Sequence, residues 1–248
     1  MHSIGEVAPT AHVMVDRAPT NVERHRDVIT AQTKTRDRVR DLAEVYTAER
    51  EVNAMLDLIP DMFPLAGHPD NIDRKFLEPA CGAGNFLVAI LERKLAFVTL
   101  ARMRTPARLE VAVLRALSSI YGIDIDASNV AQSRGFLQAE VAHHLNLHLN
   151  TTPVSDDFWR AVDVILHSNI VRADTLADGK HILLVNYQWQ RKLGYVRRVW
   201  SPLEEDPQPV QSTLFDVAAP ERRDDAPIHF RDLADHHDPV TIDLRGKP

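Results

Sequence analysis

Apolar positions recur at helical spacing from residue 35 onward. Val39, Leu42 and Val45 stand three apart, and after Thr47 the positions Val52, Met55, Leu56 and Ile59 repeat the interval. Two helices are predicted there, with Thr47 as the N-cap of the second and Pro60 and Pro64 ending it. FLEPACGAGNFLVAILERKL then reads as a short strand, a glycine turn and a helix. ARLEVAVLRALSS predicts a helix, IYGIDI a strand ending in acids, and ASNVAQSRGFLQAEVAHHLNL a long helix with Gly135 as its bending point. DDFWRAVDVILH predicts one more helix, followed by the strand-like runs NIVRAD and HILLVNYQW. Strands alternating with helices of this length predict an α/β fold, with a mostly parallel sheet covered by helices on both faces.

The flanks lack this order. Residues 1–34 carry Pro, Thr and charge without an apolar period and are expected to form a flexible arm. Residues 35–200 form the expected domain. Residues 201–248 are rich in Pro, Asp and Glu and read as an acidic tail that packs only in places. The stretch HILLVNYQWQ-RKLG-YVRRVW also reads as a β-hairpin with Gly194 in its turn.

Composition narrows the function classes. The chain has 248 residues, 44% hydrophobic and 26% charged, which suits one globular domain. No apolar run reaches the roughly 18 residues of a membrane span. The N-terminus lacks the basic start and apolar core of a secretory signal, and Cys81 is the single cysteine. A disulfide framework and a cysteine-rich zinc site are thereby excluded, and a cytoplasmic location is expected. A net charge of −6 excludes a strongly basic nucleic-acid coat but leaves room for a local basic groove. His236 and His237 have no second cluster at ligand spacing, so no metal site is expected.

The most informative stretch is Leu77-Glu78-Pro79-Ala80-Cys81-Gly82-Ala83-Gly84-Asn85-Phe86. Gly82 and Gly84 let a ligand approach the backbone, and the helix that follows offers free N–H groups. Cys81 reads as a small buried side chain rather than a nucleophile. An acid at a strand tip, such as Asp124, can accept hydrogen bonds from ribose hydroxyls.

The string resembles the cofactor motif of amino-methylating DNA methyltransferases, Asp-Pro-Ala-Cys-Gly-Ser-Gly-Asn-Phe, with Glu78 for the acid and Ala83 for the serine. Val45-Tyr46-Thr47, Tyr121-Gly122-Ile123-Asp124-Ile125-Asp126 and Asn169-Ile170-Val171-Arg172-Ala173-Asp174 resemble further segments of the gamma class of N6-adenine methyltransferases, in its order. The resemblance covers about residues 35 to 190 and implies a Rossmann-like fold that binds S-adenosylmethionine. It assigns Tyr46 and Thr47 to the methionine part. It gives Glu78, Pro79, Ala80, Gly82, Gly84, Asn85 and Phe86 to the turn, Asp124 and Ile125 to the nucleoside, and Asp174 to the adenine amino group.

In that family the next strand ends in Asn/Asp-Pro-Pro-Tyr/Phe, which holds an extruded base. Here Asn186-Tyr187-Gln188-Trp189 follows HILLV. The resemblance makes Asn186 the acceptor for the target amino group and Trp189 the stacking platform, with both prolines missing. Arg191, Lys192, Arg197 and Arg198 are candidates for phosphate contacts. No long recognition region follows Trp200, so DNA sequence choice is expected from a partner subunit. Gln211-Ser212-Thr213-Leu214-Phe215 resembles a sliding-clamp docking peptide through Gln211, Leu214 and Phe215. Two functions from different classes follow: a DNA adenine-N6 methyltransferase of restriction-modification type, or a methylase-fold adaptor that binds cofactor or a partner without methylating DNA. A protein or small-molecule acceptor is a third.

Overall fold

The computed structural model describes residues 49–150, 152–179, 181–203 and 222–238. All of them lie in one compact unit, Thr47–Pro248. The expected N-terminal arm, the helix through Val39, the positions Tyr46 and Thr47, and the peptide Gln211–Phe215 fall outside the described residues.

Helix α1 (Glu49–Leu56) leads through two 3-10 turns to strand β1 (Phe76–Glu78). The glycine turn follows, then α2 (Asn85–Leu95), α3 (Leu100–Met103) and α4 (Pro106–Ser118). Strand β2 (Ile120–Asp124), α5 (Ala127–Leu149), α6 (Asp156–Asn169), β3 (Ile170–Arg172) and α7 (Thr175–Asp178) complete the first layer system. The last part is antiparallel: β4 (Leu183–Trp189), β5 (Tyr195–Pro202) and β6 (Ile228–His229).

Three strands form a parallel sheet in the order β1-β2-β3, with Phe76 opposite Ile120 and Gly122 opposite Ile170. Ile120, Tyr121 and Ile123 are buried, as a central parallel strand requires. Helices α2 and α5 pack on one another, as do α4 and α6, and all four touch β2. Local signals set the helix starts. The side chains of Thr99, Thr105, Asp126 and Ser155 each accept a backbone N–H from the first turn of α3, α4, α5 and α6. Helix α5 runs through Gly135 as one element.

A buried lysine ties the entry to β1 onto the core. Lys94 is fully buried, and its Nζ donates to Ile72 O at 2.9 Å, Arg74 O at 2.6 Å and Ser119 Oγ at 2.6 Å. Burial pushes its ammonium down to about 7, while the Asp73 carboxylate pulls the other way. Three acceptors around one nitrogen match its three donors, so the 3-10 turn Pro69–Asp73 is held against the start of β2.

The fold is α/β, but half of the strands among the described residues depart from the expected parallel arrangement. Residues 183–189 pair antiparallel with 196–202 in an unbroken register, from Leu183 opposite Pro202 to Trp189 opposite Val196. Gly194, at φ +79°, makes the short return that only an antiparallel pair allows. The hairpin reading is therefore the one the chain adopts. β6 adds to β5, so part of the acidic tail belongs to this second sheet. The attachment is an ion pair: Arg198 and Asp224 are 4% and 0% exposed at their side chains and meet at 3.0 Å. Arg198 also donates to Asp238 at 2.9 Å and to the carbonyls of His236 and His237. Phe230 and Leu233 then close over α6. Among the described residues no helix is long and apolar enough to cross a membrane.

Asp224→Ala leaves the Arg198 guanidinium short of its main partner in the interior, and is expected to lower unfolding free energy in urea by on the order of 3 kcal/mol. His144, buried on α5, has Nε2 2.6 Å from Val98 O, so the neutral ring donates there. Burial holds its pKa at about 4, with the Val98 bond opposing and His148 and His143 adding to the depression. Because the folded value lies below the ordinary 6.5, this group's stabilisation is complete above pH 6.5 and is lost as pH falls toward 4. His144→Gln is expected to flatten the melting-temperature profile in that window.

Candidate functional site

Parallel pairing brings three strand ends together. Glu78, Asp124 and Arg172 end β1, β2 and β3, so the turn after β1 and the loops after β2 and β3 share one edge of the sheet. Cys81 N donates to Ile123 O at 2.9 Å, Ala173 N to Asp124 O at 3.1 Å and Thr175 Oγ1 to Pro79 O at 2.7 Å. These bonds sew the three loops into one surface.

The glycine turn needs both its glycines. Gly82 sits at φ +53° and Gly84 at φ +92°, a region L-residues enter only at a cost. A Cβ on Gly82 would meet nothing within 4 Å, so the space above it is open. A Cβ on Gly84 would stand 2.7 Å from Ser133 Oγ, so the turn is packed shut beneath. Helix α2 then begins at Asn85 with no side chain capping its first turn. Its N-terminal N–H groups remain available to an electron-rich partner.

Asp124 faces this turn. Gly82 N donates to its Oδ2 at 2.8 Å, and Asp126 N to its Oδ1 at 2.8 Å. The carboxylate is half-buried, with exposed Ile125 beside it. Glu78 turns back on its own loop, accepting from Ala80 N at 3.3 Å. Asp174 caps α7: its Oδ1 accepts from Leu176 N at 3.0 Å and Ala177 N at 3.1 Å. Cys81 is buried, and burial pushes its thiol up to about 12, with Asp124 and Glu78 adding to the rise and the Ser133 hydrogen bond opposing it. It is a packed thiol rather than a thiolate.

The structure thus brings Glu78, Pro79, Ala80, Gly82, Gly84, Asn85, Phe86, Asp124, Ile125 and Asp174 to one edge. It does not bring Asn186 and Trp189 there. Both are strand residues of β4, inside the ladder with β5. Three positions apart, they point to opposite faces of the strand. Trp189 Nε1 donates to Ser118 Oγ at 3.0 Å, and Tyr187 between them is buried with its hydroxyl 2.8 Å from Ser168 Oγ. Asn186 and Trp189 do border a cavity of about 310 Å³, with Lys75, Ser118 and Tyr121. Lys75 and Ser118 precede β1 and β2, so this cavity lies at the other end of the strands from the glycine turn, about 13 Å away along β2. The phosphate-contact expectation fails for Arg198, which the Asp224 pair buries; Arg191 and Lys192 stay exposed in the hairpin turn.

Three side chains at the edge escaped the sequence reading: Asn129, Ser133 and Thr175. Asn129 Nδ2 donates to Asp124 Oδ1 at 3.2 Å and Ser133 Oγ to Gly82 O at 2.9 Å. Their spacing of four along a helix was legible, but a polar pair on a helix is ordinarily a solvated face. Among the described residues no group of three or more His, Cys, Asp or Glu could hold a metal ion. No protein-family model, curated protein or solved structure matches the chain.

The two glycines predict different mutational outcomes. Gly84→Ala combines a left-handed φ with a clash and is expected to cost about 3 kcal/mol. Gly82→Ala meets only the backbone strain, about 1 kcal/mol, and keeps the fold. Thermal denaturation of both variants checks the order.

Proposed function

We propose that the chain binds S-adenosylmethionine against the Glu78–Phe86 turn and donates its methyl group, with a DNA adenine amino nitrogen as acceptor. The observation that carries the reading is Asp124 anchored on the Gly82 amide beneath open space. Strand order β1-β2-β3, with a glycine turn after the first strand and an acid after each of the other two, suits the cofactor half of a Rossmann-like methyltransferase fold.

The residues present fit the group. Gly82 leaves open the space a Cβ would enter. Asp124 accepts a ribose hydroxyl, Ile125 offers an apolar face to the purine, and Asp174 keeps its Oδ2 for an amino group while Oδ1 caps α7. The uncapped start of α2 receives the carboxylate of the methionine part. When bound, the cofactor supplies an electrophilic methyl carbon on a sulfonium sulfur. The protein's own work is holding and orienting, because such a transfer needs alignment more than acid or base help. DNA sequence choice comes from a partner subunit in this reading, and the location is cytoplasmic.

A specific observation favours a second reading, a methylase-fold subunit that binds the cofactor without transferring its methyl group to DNA. Asn186 and Trp189 stand on opposite faces of a ladder strand, bordering a cavity at the far end of the sheet.

Calorimetry with S-adenosylmethionine is expected to give a micromolar dissociation constant, about −8 kcal/mol, and a dissociation constant raised about tenfold for Asp124→Ala. Silence from the wild type removes the cofactor reading. Incubation with methyl-labelled cofactor and mixed DNA separates the two functions. Label in DNA that persists in Asn186→Ala, a residue at the far end of the sheet, supports the enzyme with its acceptor groups elsewhere, and binding without label supports the subunit.

A further inference from the structure

Two strands carry the two halves of the proposed cofactor site, and one helix face touches both. Asn129 and Ser133 stand about one turn apart on α5, and they are 5% and 0% exposed. Asn129 Nδ2 donates to Asp124 Oδ1 at 3.2 Å, and Ser133 Oγ donates to the Gly82 carbonyl at 2.9 Å. Gly82 N closes the circuit on Asp124 Oδ2 at 2.8 Å. Glycine turn, acid and helix are therefore linked in a ring of hydrogen bonds with no water or mobile side chain needed to complete it.

We propose that Asn129 and Ser133 are positioning residues that set the attitude of the Asp124 carboxylate over the glycine turn, and through it the affinity for the cofactor's ribose. The proposal rests on the cofactor reading above. A carboxylate offers about four acceptor positions. Gly82 N, Asp126 N and Asn129 Nδ2 fill three of those on Asp124. One position is left, so Asp124 takes a single ribose hydroxyl rather than the two an unencumbered acid could accept. With Asn129 removed, one amide still bonds each oxygen, but the Oδ1 side loses one of its two donors and the carboxylate rocks over a wider range, which outweighs the acceptor position set free. Ligand binding must then order it again, which weakens affinity. Ser133 acts one step further back. It fixes the Gly82 carbonyl, in the peptide plane that follows the Gly82 Cα, and so restrains the turn from one side while the Gly82 amide, in the plane before that Cα, bonds Asp124 Oδ2. Its hydroxyl also fills the space that a Gly84 side chain would take.

A double-mutant cycle on the full chain tests the route. Calorimetry with S-adenosylmethionine is expected to show Asn129→Ala binding roughly fivefold more weakly than the wild type, the order of the cost of re-ordering one side chain on binding. The same change on the Asp124→Ala background is expected to cost less than about twofold, because the group it acts through is gone. Equal losses on both backgrounds, or no loss on the first, overturn the proposal. A second variant covers the case in which Asp124→Ala binds too weakly for the cycle to be read. Asn129→Asp is isosteric and places a second carboxylate within hydrogen-bond distance of the first. Two such groups repel when both are ionised and share a proton when one is not. Its affinity is expected to recover from pH 8 to pH 5.5 by several-fold more than the wild type's changes, and a profile parallel to the wild type's overturns the proposal. Absence of binding by the wild type itself is a separate result: it fells the cofactor reading, and this proposal with it.

Discussion

The hydrogen bond from the Gly82 amide to the Asp124 carboxylate is the contact on which the candidate site depends. It joins residues 42 positions apart, and it exists because β1 and β2 run parallel side by side. Parallel pairing puts the C-terminal ends of both strands at one edge. The loop leaving β1 then has no choice but to pass the acid ending β2. A left-handed φ at Gly82 bends the chain sharply just after its amide has met that acid, and the side of the turn where a Cβ would stand is open. Everything else at the edge supports this contact: Thr175 holds the Pro79 carbonyl, Ser133 the Gly82 carbonyl and Asn129 the carboxylate.

The second sheet answers to a different constraint. Its hairpin buries Val185, Tyr187, Val196 and Trp200. An arginine and an aspartate, both out of water, fix the returning segment 222–238 to it. Such a pair adds little net stability over an apolar replacement, yet either partner alone in the interior is costly. The arrangement accordingly specifies where the returning chain docks more than how tightly. It also takes Arg198 out of any role that needs a free cation.

Much of the first sheet could be read from the chain. The buried run Ile120-Tyr121-Gly122-Ile123, the glycine turn between a strand and a helix, and the helix starts at Ala127 and Asp156 fell where local signals put them. The glycine turn was legible because backbone demands there admit so few residue types. The acids were legible only as strand-tip acids. Nothing local says whether Asp174 caps a helix, offers an oxygen to a ligand, or does both; its two short bonds to α7 show the first. Residues 181–200 were ambiguous for a physical reason. A strand–loop–strand with β-branched and aromatic residues satisfies hairpin and crossover templates alike, and the missing prolines removed the rigidity that would have chosen between them.

By itself, the sequence determined the alternation of strands and helices, the sharp turn at Gly82 and Gly84, and the candidate acids, because those features follow from spacing and from what each residue type permits its own backbone. Tertiary structure alone decided which of the acids share an edge with the turn, that Asn186 and Trp189 lie on opposite faces at the other end of the strands, and that Asn129 and Ser133 brace the site. Strand pairing fixes these relations between residues tens of positions apart, and no local propensity encodes which strand lies beside which.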